Sequence, residues 1–280
     1  MPEQVSPLTV AAGGLVLSGE QSGEGTAVLL LHGLTATRRY VLMGSRTLQR
    51  SGHRVIAYDA RGHGRSQPAP ARAYGYEHLA ADAIAVLDGA GVERALLAGA
   101  SMGAHTAIRV ALEHPERVLA LALITPAYEP GSTRTAQSIA RYERLAAGLR
   151  EGGVEGFIAA YPLAEVPERW RGTVEQVLRQ RLSAHEHPGA VADALEVVPR
   201  SEPFVDLGQL GAIAVPTLVV GSRDEADPEH PLAVAERYAG AIPGAELLVE
   251  APGSPPGSPI AWQGGQLSGA LAALADRVSP

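Results

Sequence analysis

The chain has 280 residues, 46% of them hydrophobic, and a formal charge of −7. That length and apolar content suffice for one large domain with an insertion, while the acidic balance gives no electrostatic footprint for nucleic acid or an anionic membrane surface. Cysteine is absent and all 23 basic residues are arginine, which excludes disulfides, thiolate catalysis, cysteine-ligated metals, Schiff-base chemistry and the lysine of a phosphate-binding loop.

At the N-terminus an acid, not an arginine, precedes the first apolar stretch, and Gly13 and Gly14 break that stretch, unlike a secretion leader. No run reaches the roughly 18 apolar residues that cross a bilayer. A soluble, cytoplasmic protein acting on a small molecule is the expectation.

In chain order, LTVAAG (8–13) and GLVLSGE (14–20) read as a small antiparallel hairpin at a sheet edge. TAVLLLHG (26–33), HRVIAYDA (53–60), RALLAGAS (94–101) and VLALALITPA (118–127) are near-continuous apolar runs bounded by Gly, Asp or Pro. Such runs suit strands of a parallel sheet buried on both faces. Between them lie amphipathic segments such as 77–91, where Leu79, Ala83, Ile84 and Leu87 recur at helical spacing and glycines supply the stop. The alternation predicts an α/β fold with a mostly parallel, doubly wound sheet.

The rhythm changes after Ala127. Residues 128–206 become helical and rich in Arg and Glu, as in TAQSIARYERLAAGLR (135–150) and VEQVLRQRL (174–182), and read as an inserted helical cap. The sheet pattern resumes with PTLVVGSRD (216–224), a helix over 232–242, AELLVEAP (245–252) and a last helix over 266–277. The expected partition is a core of 1–127 and 207–280 around a cap of 128–206.

Gly99-Ala100-Ser101-Met102-Gly103 stands where a buried strand ends and a helix begins. That is the context in which G-x-S-x-G presents a nucleophilic hydroxyl. The sharp turn lifts the serine out of the sheet, and residues without a β-carbon let the neighbouring backbone pass. The helix starting at Met102 offers unpaired N–H groups to a developing oxyanion. His32-Gly33-Leu34 ends an earlier strand, and its loop can present the Leu34 N–H to the same oxyanion, with His32 tethering the loop.

LLLHGLT, YDARGHGRS, AGASMG followed by HPERVLALAL, and PTLVVGSRDEADP together resemble the α/β-hydrolase superfamily, in particular its capped esterase, lactonase and haloperoxidase-like branch. The resemblance implies a cofactor-free serine hydrolase without a metal. It makes Ser101 the nucleophile, Leu34 and Met102 the oxyanion donors, and Asp224 the acid. Asp59, Arg61 and His63 match a loop-bracing segment.

One departure bears directly on the chemistry. In the usual order the histidine follows the last strand, yet EAPGSPPGSPIAWQGG (250–265) contains none; Ser254, Gly257 or Ser258 occupies that place. Downstream of Asp224 the only histidine is His230. It reads either as a displaced base, oriented by Asp224 or Asp227, or as a solvent-facing residue at a helix entry.

His105 reads as structural, one helical turn after Ser101, and His185 and His187 as cap surface residues able to close over the site. Arg38 and Arg39 could hold a substrate carboxylate. Phe157, Tyr161, Leu163 and Trp170 read mainly as cap core, and Trp262 as a pocket lid or an anchor for the last helix. The expected activity is hydrolysis of a small-molecule ester or lactone through an acyl-Ser101 intermediate. The alternatives are a ligand-binding or signalling module on the same fold, or a lyase- or cyclase-type enzyme.

Overall fold

The computed structural model describes residues 5–131, 135–250 and 264–279; the readings attached to Ser254, Gly257, Ser258 and Trp262 lie outside them. The apolar runs form strands where expected. These are β1 (Ser6–Ala12), β2 (Leu15–Ser22), β3 (Ala27–Leu31), β4 (Arg54–Tyr58), β5 (Ala95–Ala100), β6 (Val118–Ile124), β7 (Thr217–Val220) and β8 (Glu246–Leu248). They make one sheet in the order β1-β2-β4-β3-β5-β6-β7-β8. β1 pairs antiparallel with β2, and β2 with β4; the remaining neighbours are parallel.

Strand alternation divides the core between the two faces. Leu29, Leu31, Leu97 and Leu121 share one buried cluster with residues of α2 (Tyr76–Gly89), α3 (Met102–Glu113) and α7 (Leu232–Ala241). Val28, Leu30, Leu96 and Ala122 share the other with residues of α1 (Thr47–Arg50) and α8 (Gly264–Arg277). Both faces are covered, which is why these strands read as unbroken apolar runs. β3 lies between β4 and β5: the chain steps from β3 outward to β4 and then crosses back over β3 to β5, so the direction of winding reverses there. The crevice beyond the carboxyl ends of β3 and β5 is where open α/β sheets bind ligands.

Between β6 and β7 lie α4 (Ala136–Ala160), α5 (Glu168–Leu182) and α6 (Pro188–Val197). α4 is two helical segments broken at Gly153, whose φ of 60° lies in the left-handed region. The halves fold back closely, since a β-carbon on Gly148 would stand 2.4 Å from the Gly156 carbonyl oxygen. Leu145, Phe157, Leu178, Leu182 and Leu195 form a separate apolar cluster that includes Ala226 and has Leu34 packed against it. The helical insertion therefore sits over the carboxyl edge of the sheet. Among the described residues no helix is long and apolar enough to cross a membrane.

Candidate active site

Ser101 sits between β5 and α3 with φ 51° and ψ −114°. A positive φ on a residue with a β-carbon costs about 1–3 kcal/mol and persists only where the surroundings impose it. Here the Ser101 N–H donates to the Ile124 carbonyl at 2.9 Å, fixing the turn against β6. A β-carbon on Gly99 would lie 2.1 Å from the Gly103 carbonyl oxygen, and one on Gly103 2.0 Å from that of Leu31. Both glycines of the motif are therefore steric necessities.

The loop after β3 is pinned by three histidines acting on consecutive carbonyls. His32 Nδ1 lies 2.8 Å from the Gly33 carbonyl oxygen, His63 Nε2 lies 2.6 Å from that of Leu34, and His185 Nε2 lies 3.2 Å from that of Thr35. His32 Nε2 accepts the Ala60 N–H, and His185 Nδ1 accepts the Gly64 N–H, both at 2.9 Å. Each of these two rings is thereby the neutral tautomer that donates to the loop. Burial and the neighbouring rings push His185 down to about 3 and His32 well below its ordinary value, although each carbonyl contact pulls the other way. Because C=O and N–H are antiparallel in a trans peptide, fixing the Gly33 carbonyl also fixes the direction of the Leu34 N–H. Leu34 and Met102 line a pocket together with Ser101. Met102 is the first residue of α3, where the N–H has no intrahelical partner.

His230 reaches Ser101. Its Nε2 lies 2.8 Å from Ser101 Oγ, and its Nδ1 lies 2.8 Å from both carboxylate oxygens of Asp227. The loop after β7 turns back so that both side chains enter the crevice, with the His230 N–H donating to the Asp227 carbonyl at 3.3 Å. Burial alone would push Asp227 up and His230 down. The mutual charge and hydrogen bond outweigh it, holding Asp227 below and His230 above their ordinary values. An imidazole with a depressed carboxylate on one nitrogen and a hydroxyl on the other can take up the serine proton and hold it as imidazolium.

Asp224, the acid implied by chain position, is not brought to His230. Its Oδ1 accepts the Ala226 N–H at 2.9 Å and its own N–H donates to Ser222 Oγ at 3.1 Å; its Oδ2 is buried without a hydrogen bond. The placement of Asp227 rather than Asp224 beside His230 has a geometric cause. Glu250, buried just after β8, accepts from Ser222 Oγ and from the Arg223 N–H, which ties the start of this loop to the sheet. The turn toward Ser101 then comes three residues later, at Asp227.

The other candidates sort cleanly. His105 is buried beneath the Ser101 turn: Nε2 accepts the Ala127 and Tyr128 N–H groups at 3.1 Å, and Nδ1 faces Tyr76 Oη at 3.1 Å. Burial pushes it down to about 3, so it stays neutral. His187 is the residue before α6 and does not line the Ser101 pockets. His185 is not a surface residue but a buried link from the insertion to the loop after β3. Arg38 pairs with Glu20 and Asp59, and Arg38 and Arg39 line a separate cavity that does not include Ser101, so neither faces a substrate there. Arg61 pairs with buried Asp82. Phe157 belongs to the insertion's core and Tyr161 packs against it, and both line the pocket, whereas Leu163 and Trp170 pack against that core without lining the pocket.

Two pockets meet at Ser101. The larger, about 160 Å³, runs under the insertion past Tyr142, Leu145, Phe157, Leu178 and Arg181. The smaller, about 120 Å³, runs past Tyr76, Met102, Tyr128 and Val198. Among the described residues no three His, Asp or Glu side chains gather to hold a metal.

A family model described as the alpha/beta hydrolase fold matches residues 26–255. The chain belongs to the α/β-hydrolase fold family. It is 31% identical over 204 residues, 72% of this chain and 75% of the relative, to RutD of Variovorax paradoxus, named as a candidate carbamate hydrolase. It is also 31% identical over 241 residues, 81% of this chain and 80% of the relative, to 2-hydroxy-6-oxononadienedioate/2-hydroxy-6-oxononatrienedioate hydrolase 2 of Pseudomonas putida. Among solved structures, a thermophilic esterase from Thermogutta terrifontis superimposes with a TM-score of 0.77 at 26% identity, over 99% of this chain and all of that one.

Proposed function

We propose that this chain is a serine hydrolase that cleaves a small-molecule carboxylic ester or lactone through an acyl-Ser101 intermediate, with His230 as base and Asp227, in place of Asp224, as its orienting acid. The observation that carries the proposal is the 2.8 Å approach of His230 Nε2 to Ser101 Oγ, with Asp227 on the opposite nitrogen. Homology to named hydrolases supports the hydrolytic class. The unactivated serine of a pure binding module would have no need of that imidazole.

In this reading Ser101 Oγ attacks the ester carbonyl as its proton passes to His230 Nε2. The oxyanion forms between the Leu34 and Met102 N–H groups, and Asp227 stabilises the imidazolium. His230 then returns the proton to the leaving alcohol. Water, deprotonated by the same nitrogen, releases the acid. Residues 128–206 act as the cap that shapes the acyl pocket, and the two pockets receive the acyl and alcohol portions.

The test is turnover on a panel of short-chain aryl esters and lactones, with acid-quenched samples weighed by intact-mass spectrometry. Expected are an acyl adduct on Ser101, loss of turnover in Ser101→Ala, and a loss of at least about 10³-fold in His230→Ala. Undiminished turnover in His230→Ala would overturn the assignment of the base.

A further inference from the structure

Among the described residues, the charged groups in the pocket under the insertion are paired with one exception. Arg141 pairs with Glu229 at 2.5 Å and approaches Glu165, and Asp227 pairs with His230. Arg181 lines the same pocket as Ser101 and His230 but has no carboxylate within ion-pair distance among the described residues. Its Nε is buried without a hydrogen-bond partner. One side of the guanidinium is occupied, its Cζ standing 5.9 Å from the centre of the Tyr40 ring.

Burial pushes Arg181 below its ordinary value even though Asp227, Tyr161 and Tyr40 pull it up through space, and arginine does not discharge in proteins. A half-buried cation whose Nε is enclosed without a partner, and which has no carboxylate beside it, is a cost to the fold. Residues kept at such a cost in a crevice are candidates for ligand recognition.

The guanidinium also faces the reacting serine. A β-carbon placed on Gly33 would be 3.6 Å from Ser101 Cβ and 3.9 Å from Arg181 Nη2. The two side chains thus border one small space, within the span of a few-carbon acyl chain. The apolar walls of Leu145, Phe157 and Leu178 suit the methylenes of such a chain.

We propose that Arg181 is a substrate-binding residue that receives a carboxylate, so that the preferred substrate is an anionic ester: the half-ester of a short dicarboxylic acid, or a lactone bearing a carboxylate. The identification of the ester class rests on the hydrolase reading; the anion site does not. Arg181 offers its terminal N–H groups to the carboxylate, which supplies the missing counter-charge and sets the distance from the anchor to the scissile carbonyl.

The test compares the monoethyl esters of malonic, succinic, glutaric and adipic acids with analogues in which the free carboxylate is a primary amide. Binding is measured calorimetrically on Ser101→Ala, and turnover by pH-stat on the chain with Ser101 intact. At least one half-ester is expected to bind Ser101→Ala on the order of 10- to 100-fold more tightly than its amide. Arg181→Gln in that background should bring the pair within about threefold. With Ser101 intact, Arg181→Gln should raise KM for the half-ester more than it lowers kcat, and Arg181→Lys should restore part of the preference. Arg181→Met, which removes an unpaired charge, should melt a few degrees higher without ligand, so lost binding is not mistaken for unfolding. Equal binding of every half-ester and its amide, or discrimination surviving in Arg181→Gln, overturns the proposal. Discrimination in Ser101→Ala without cleavage by the intact chain keeps the anion site and removes the hydrolase reading.

Discussion

Exchanging the two candidate acids separates chain position from geometry. In Asp227→Asn the side chain keeps its shape but loses the charge 2.8 Å from His230 Nδ1. If the amide oxygen faces Nδ1, the imidazolium loses a charge-assisted partner; if the NH2 faces it, the ring flips to the tautomer whose proton sits on Nε2, and Ser101 loses its acceptor. The side chains are only 20% and 23% exposed, so solvent screens little of this. A fall of about 10³–10⁴ in kcat/KM follows, or roughly 4–5.5 kcal/mol of transition-state stabilisation. Asp224→Asn keeps an oxygen for the Ala226 N–H and touches no reacting group; kcat/KM should stay within about threefold, with at most about 1–3 kcal/mol of stability changed by the new buried amide. The assay is initial-rate kinetics on the best ester, with melting curves for both variants. A large loss in Asp224→Asn beside near-normal Asp227→Asn would refute the reasoning.

Further outcomes follow from the same contacts. His230 is raised above its ordinary value by Asp227 against the effect of burial, and the base must be neutral; kcat/KM should therefore rise with pH through an inflection above about 6.5, read from a pH–rate profile. The linked stability has the opposite sign: His230's contribution is fully present below the unfolded value near 6.5 and is lost as pH rises through the raised native value, which melting temperatures between neutral and mildly alkaline pH will register. Gly33→Ala adds a methyl at ordinary contact distances, 3.5 Å or more from its nearest neighbours, so the melting temperature should hold. The methyl nevertheless fills the space between Ser101 and Arg181, and kcat/KM should fall about tenfold. His185→Ala orphans the Gly64 N–H and frees the Thr35 carbonyl; a loss of about 1–3 kcal/mol in denaturant unfolding is expected, with kcat reduced more than KM is raised. Gly103→Ala forces a carbon against the Leu31 carbonyl and should lose more than about 3 kcal/mol, seen as poor soluble yield.

The sheet was legible because its strands are buried on both faces: β3 and β5 each stand out as an apolar run ending in a glycine motif. Ser101 followed from the same pattern, since only a strand-to-helix turn needs Gly99 and Gly103 in those places. In the sequence Arg38 reads as a cation just after the 32–34 loop, able to hold a substrate carboxylate; its engagement with Glu20 and Asp59 depends on strands distant in sequence. His185 looked like a surface residue because nothing local ties it to residues 35 and 64, which lie far back along the chain. The choice between Asp224 and Asp227 turned on where one short loop reverses, and that depends on Glu250 holding its start. Arg181 carried no motif at all; only the absence of a partner among the described residues distinguishes it from the paired arginines on the insertion.

The most direct test of the Ser101–His230 relay is the second-order rate of Ser101 modification by a small fluorophosphonate, followed by intact mass and peptide mapping, in the natural chain and in His230→Ala. Rapid, single-site labelling of Ser101 that slows by at least about 10³-fold without the imidazole is the predicted result. Equal labelling rates in the two proteins would contradict it.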